Sequence, residues 1–359
     1  MKFQRFKKSC VGRAGLMLAA LSLTGALTVA GQPGRSVLVV TSTNSATGNA
    51  VVVFKLNSGS TPSLAFDDMM PTGGKGGAGG NAGIVQFKGE AGAVANYGSN
   101  TVSQLARYDD FIAVGGTINL APGCMKPDSV ALTRDYLFVV GANCAETHDW
   151  PSGHVVGPVV SLSDASAAQI AVGRSWAAVT MTSGSVLQLP LAWDGGVLNG
   201  TSTAISLPSN ANNTPLGAAF WNNVLGFTPA HSPDSFAVVN QSRNVYPIAG
   251  PTPSYPTNAP CWVAKGAGNV WYTGNSPGMA ISIFFTDDQG GIFYKSVPLP
   301  GVPTDLTVSP DGKWLAVIYS AGGQGYVAVY AIDAYGGLTP VATSNSIGVA
   351  SFSGVAISE

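Results

Sequence analysis

Charge is scarce in this chain. Asp, Glu, Lys and Arg make up 10% of its 359 residues, and 17 basic residues stand against 18 acidic ones. A nucleic-acid-binding surface needs a basic footprint, and this balance provides none. Histidine is scarcer still, with three in all. His148 and His154 stand six apart, not at the i, i+4 spacing of a helical zinc pair. The four cysteines form no C-x-x-C pair, so no metal site is expected. Lys75, inside the glycine-rich stretch Gly73–Gly83, is not followed by Ser or Thr and no helix follows, which excludes a phosphate-binding P-loop. No cofactor is expected. Beyond Ala30 no apolar run is long enough to span a bilayer, and no stretch keeps helical apolar spacing over ten residues.

Glycine, in contrast, is plentiful, at 46 residues. With Asn, Ser and Pro it punctuates short apolar, β-branched runs, the pattern of strands joined by tight turns. One pattern recurs seven times: a small or turn-forming residue or two, then a rise into an apolar stretch. The copies are Ala82-Gly83-Ile84-Val85, Pro127-Asp128-Ser129-Val130, Ala168-Gln169-Ile170, Pro215-Leu216-Gly217-Ala218, Pro260-Cys261-Trp262-Val263, Pro303-Thr304-Asp305-Leu306 and Ser353-Gly354-Val355. Aligned on residues 85, 130, 170, 218, 263, 306 and 355, they are spaced by 45, 40, 48, 45, 43 and 49 residues. A period near 45 with several strands per copy predicts one propeller blade per repeat, hence an all-β, seven-bladed β-propeller over residues 31–359. A long β-sandwich or β-helix is the alternative. Arg35–Thr41 reads as a second strand with no inner partner, and Ser353–Ser358 as an inner strand with no blade. Pairing the two closes the ring and removes both free edges.

The first thirty residues stand apart from the repeats. Lys2, Arg5, Lys7, Lys8 and Arg13 precede an apolar stretch, Ala14 to Ala30, which ends Thr28-Val29-Ala30. This reads as a signal peptide, residues 1–30, cleaved near Ala30, with an uncleaved anchor as the alternative. Cleavage would leave 12 basic residues against 18 acidic ones, a net charge of about −6, on an exported, periplasmic or extracellular chain. That chain is expected to be a monomer, with no membrane attachment after cleavage. Cys124 and Cys144 are symmetric about Arg134, in the expected hairpin turn Arg134-Asp135, and export supplies an oxidising compartment, so the two are expected to form a disulfide. Cys261 has no local partner and is expected to be a free, mostly buried thiol.

Asn49-Ala50-Val51-Val52-Val53-Phe54, the run Gly73–Asn81, Ala95–Ser103 and Ala259–Ala264 followed by Tyr272-Thr273-Gly274-Asn275 resemble the lactonase-type seven-bladed propellers. That family groups 6-phosphogluconolactonase-like and 3-carboxymuconate-cyclase-like proteins, and the similarity is to its secreted branch. The resemblance implies hydrolysis or formation of a small lactone. Two acidic positions common in that family are taken here by Met181 and Pro229.

Catalytic groups are expected in a blade-three insertion, Ala142 to Val155, read as a loop. There His148 would serve as general base, oriented by Asp149 or Glu146. The alternative is a solvated loop. Ligand contacts are expected on the face where inner strands begin and second strands end: Lys75, Asn96, Tyr97, His231, Cys261, Trp262, Asn275 and Asp305. For Lys75 the alternative is a flexible crossover between blades, and for Cys261 a packing role. This face is rich in Asn, Thr and Tyr, which suits a neutral polar small molecule better than a phosphate. Two functions follow: a lactonase-like enzyme, or a non-catalytic binding or scaffold propeller for a sugar, peptide or protein.

Overall fold

The computed structural model describes residues 36–77, 82–193, 196–232, 236–250 and 259–359. The expected signal peptide lies outside these residues, as do Arg35 and positions 78–81 of the glycine-rich run. The chain falls into two units, Met1–Gly34 and Arg35–Glu359, and the fold is that of the second. It is a ring of seven four-stranded antiparallel sheets, a seven-bladed β-propeller. In blade seven, for example, the chain passes outward through Val302–Val308, Trp314–Ala321, Gln324–Ile332 and Leu338–Thr343.

Burial follows from this order. Second strands are packed between neighbouring blades, so Leu315, Ala316, Val317 and Ile318 are all fully buried although they alternate faces. Outer strands are one-sided: Ser63–Pro71 of blade one leaves most of its residues exposed. The Ser309–Gly312 turn of blade seven is fixed by its own side chains. Ser309 Oγ donates to the Asp311 carboxylate at 2.7 Å, and the Lys313 N–H donates to the same group at 3.0 Å. Gly312 there takes φ +75°, a backbone state that a β-carbon disfavours.

The ring closes as expected. Ser353–Ser358 pairs antiparallel with Val37–Ser42, in the register Leu38 to Ser358, Val40 to Ala356 and Thr41 to Val355. That register makes Ala356, rather than Val355, the counterpart of Val85 in the repeat, because Gly354 is an extra, bulged residue.

The same bulge recurs around the ring. Inner strands shift register at Asp128, Ala168, Leu216–Gly217, Cys261 and Thr304, one or two residues after each begins. A bulge increases local twist and re-aims the next side chain. Here it brings neighbouring blades into contact. Gly217 leaves room for the Cys261–Val263 backbone, and Gly354, at φ +71°, for Ile84 and Val85.

The blade-three insertion needs correction. Cys144–Asp149 is not a loop but the third strand of its blade, paired to Tyr136–Gly141 from Cys144–Gly141 to Asp149–Tyr136.

Candidate functional site

The topology leaves one edge of every inner strand unpaired, because each inner strand bonds only to its second strand. Seven such edges face the central channel. Their N–H and C=O groups need partners. The channel holds a cavity of about 240 Å³, lined by Gly83, Gln86, Gln169, Ala218, Asp305 and Thr307 among others. This is smaller than a drug-sized pocket, which is roughly 300–1,000 Å³. It suits a small polar molecule.

Asp305 is the only carboxyl among the described residues lining this cavity. One oxygen accepts the Leu306 N–H at 2.8 Å. The other accepts Val355 N–H at 3.2 Å from blade one and Gly83 N–H at 3.4 Å from blade two. Burial pushes its pKa up to about 7 from 3.8, against the three N–H groups, which pull it down. A carboxylate has about four acceptor sites, so one remains for a ligand or water.

Gln169 and Ser129 approach Gly83 from the other side. Gln169 Oε1 accepts the Ala218 N–H at 2.7 Å, and its Nε2 lies 3.3 Å from where a Gly83 β-carbon would stand. Ser129 Oγ is 2.6 Å from that same point and accepts the Ile170 N–H at 3.4 Å. Gly83, at φ +71°, is therefore a glycine for two reasons: the conformation and the lack of space. Lys265 also lines the cavity, but its ammonium turns away into the seam between blades five and six. There it donates to the Gly266 and Gly268 carbonyls at 2.6 and 2.7 Å and lies 5.3 and 5.2 Å from the Trp221 and Trp271 rings. Desolvation lowers its pKa to about 8.

The residues expected from sequence are dispersed. Glu146 and His148 are brought together, at 2.8 Å from His148 Nε2 to Glu146 Oε1, but both are fully buried. His148 Nδ1 donates to the Gly153 carbonyl at 2.9 Å, and Glu146 accepts the Ala121 N–H at 3.0 Å. Both ring nitrogens of the imidazole are committed, and none of its surface is exposed. Asp149 is apart from them, holding Ser152 Oγ at 2.7 Å. Cys124 and Cys144 form the expected disulfide, with Cα atoms 5.6 Å apart, and Glu146 lies beside it.

On the upper face, where inner strands begin, Asn96 is buried. It donates to Ser103 Oγ at 2.8 Å and accepts from Thr72 Oγ1 at 2.7 Å. Asn275 repeats the device in blade six, donating to Ser282 Oγ at 2.7 Å. Both side chains are held by neighbouring side chains and neither lines the cavity. Trp262 is buried and donates to the Pro303 carbonyl at 3.0 Å. Cys261 is a free, half-buried thiol whose pKa is raised by desolvation. Tyr97 is half-buried, with the Lys126 ammonium 5.7 Å from its ring, and exposed His231 holds Thr214 at 2.9 Å. Lys75 is exposed. The two residues after it are held: Gly76 and Gly77 N–H groups donate to the Ser45 and Asn44 carbonyls at 2.8 Å.

Of the expected site residues, only Asp305 reaches the cavity. Gln169, Gln86 and Thr307 were not anticipated. A signal for Gln169 exists in the repeat. The residue after each bulge reads Ile84, Ser129, Gln169, Gly217, Trp262, Asp305 and Val355, and the three short polar side chains in that series are the ones that converge on Gly83.

No protein-family model matches this chain, and no curated protein sequence matches it. Solved structures do. A periplasmic gluconolactonase of Pseudomonas aeruginosa matches with 14% identity over 90% of this chain and 99% of its own, at a TM-score of 0.64. A candidate 6-phosphogluconolactonase of Bacteroides fragilis matches with 13% identity over 91% and 99%, also at 0.64. A virginiamycin B lyase of Staphylococcus aureus matches less closely, with 13% identity over 78% and 94% and a TM-score of 0.54. At such identities the likeness is one of fold, and at that level the lactonase-type resemblance holds.

Proposed function

We propose that this protein is an exported, lactonase-like propeller that hydrolyses a small neutral lactone in its central cavity, with Asp305 as general base. One observation carries the reading: a single buried carboxyl, with its pKa raised to about 7, lines a cavity of about 240 Å³ walled by strand edges. A base is most effective when its pKa lies near the working pH. The ionised Asp305 takes a proton from water as the water oxygen attacks the lactone carbonyl. The tetrahedral intermediate then breaks its ring C–O bond, and the leaving oxygen takes that proton back, giving the hydroxy acid. Backbone N–H groups of the inner strands supply donors for the oxyanion. With the Lys265 ammonium turned into a seam, no cation faces the ligand from the described wall, which favours a neutral sugar lactone over a phosphorylated one. The leader sequence, the disulfide and the periplasmic neighbour support export.

The test is a screen of aldonolactones and simple γ- and δ-lactones. Asp305→Asn should reduce turnover of any hydrolysed compound by about 10²-fold or more. A second reading, a binding propeller without catalysis, is favoured by the burial of Met181 and Pro229, which replace the two expected carboxylates. It becomes the better one if no lactone is hydrolysed.

A further inference from the structure

We infer that the central cavity fills from the lower face, the face of the first-to-second-strand turns, through a break in that rim at blade one. This rests on the cavity being the ligand site. The expectation from sequence was the opposite face.

Among the described residues, three side chains crowd the upper end around Gly83. Asp305 from blade seven reaches past blade one to Gly83 of blade two, while Gln169 from blade four reaches past blade three toward the same residue, beside Ser129. The cavity lining respects that limit. It includes Gly83, Gln169 and Asp305 and continues downward to Leu132, Val172 and Val308. Above these side chains, Leu216, Cys261, Thr304 and Gly354 do not line it.

The lower end is different. Blades two to seven each join inner to second strand by a turn. Blade one does not, because its inner strand is Ser353–Ser358 and its second strand is Val37–Ser42, from distant parts of the chain. The gap lies between the turns of blades two and seven. A second cavity of about 290 Å³ occupies that place, lined by Lys88 and Gly89 of one turn, Pro310 of the other, and Ala356 and Ile357 of blade one. Gln86, Thr307 and Val308 line both cavities, so the two adjoin. Together they form a route from the lower surface to Asp305. The route is walled by strand edges, Gln86 and Thr307, with Lys88 at its lower mouth, which suits a polyhydroxy compound hydrogen-bonding as it passes.

Access can be read without turnover, by coupling glycinamide to Asp305 with a water-soluble carbodiimide and mapping the peptide by mass. Thr307→Trp narrows the lower passage and should slow coupling by about tenfold or more, since a filled channel in a close-packed interior excludes reagent. Gln86→Trp does the same from the facing wall and guards against a misfolded first variant. Leu216→Trp adds bulk above the crowded upper end and should leave the rate unchanged. In the Thr307→Trp background, Gln169→Ala opens the upper end and should restore coupling. Lactone turnover should follow the same order. Slowing by Leu216→Trp with no effect of Thr307→Trp or Gln86→Trp would overturn lower-face entry. A protein that turns over no lactone yet shows the expected coupling pattern would retain the route and lose only the enzymatic reading.

Discussion

Asp305 links folding to pH. Its pKa is raised from 3.8 to about 7 on folding, so the folded state binds a proton more tightly than the unfolded chain. The contribution is full below the unfolded value and is lost as pH rises through the folded one. From about pH 5 to pH 8 this group alone should cost on the order of 2 kcal/mol. Asp305→Asn should remove that dependence, so the melting-temperature difference between variant and wild type should change over this range. Parallel curves would show that Asp305 does not titrate there. His148 leads to a different expectation. A His on an exposed loop could be replaced without loss of stability, but this one is buried against Glu146. Removing one partner of such a pair leaves the other uncompensated, so His148→Ala should cost about 3 kcal/mol or more in denaturant unfolding. The misplacement has a physical source. Cys144–Asp149 reads as polar and therefore as loop, yet its polar groups satisfy one another and their neighbours: Glu146 with His148, and Thr147 Oγ1 with the Leu198 N–H at 3.2 Å. A hydrophobic pattern does not register a strand that buries a closed polar network.

At the scale of elements, the inner strands were legible because each repeats a turn residue before an apolar run. Their bulges were not, since a bulge adds one residue without changing composition. The disulfide shows the same division. The pairing of Cys124 with Cys144 is the expected one, but the two do not face each other across the Arg134 hairpin. Cys144 begins the third strand, opposite Gly141, and Cys124 lies in the segment before the first. The bridge thus ties the entry of blade three to its middle. By the chain-entropy model, closing a loop of separation 20 contributes roughly 3 kcal/mol. Replacing both cysteines by serine should lower the denaturant midpoint accordingly. An unchanged midpoint would mean that the bridge does not constrain the unfolded chain.

At the scale of the whole molecule, the ring holds together only if its two ends meet. Blade one is built from both, with Ser353–Ser358 buried throughout between Val37–Ser42 and the channel. Val355 N–H also donates to Asp305, so closure and the candidate site share a hydrogen bond. Deleting residues 349–359 should expose the inner edge of blade one and sharply lower the melting temperature. A truncated protein melting with wild type would contradict this closure. The number of blades and the ring were legible in the 45-residue period. The site was legible only at Asp305, because a cavity lined by strand edges is made of backbone, which every sequence carries alike. The most direct measurement is the pH dependence of kcat/KM for hydrolysis of an aldonolactone. The expected result is a rising limb with its midpoint near 7, the value to which burial pushes Asp305, absent in Asp305→Asn, whose turnover is low at every pH. Hydrolysis that persists undiminished in Asp305→Asn, with the same pH profile, would contradict the assignment.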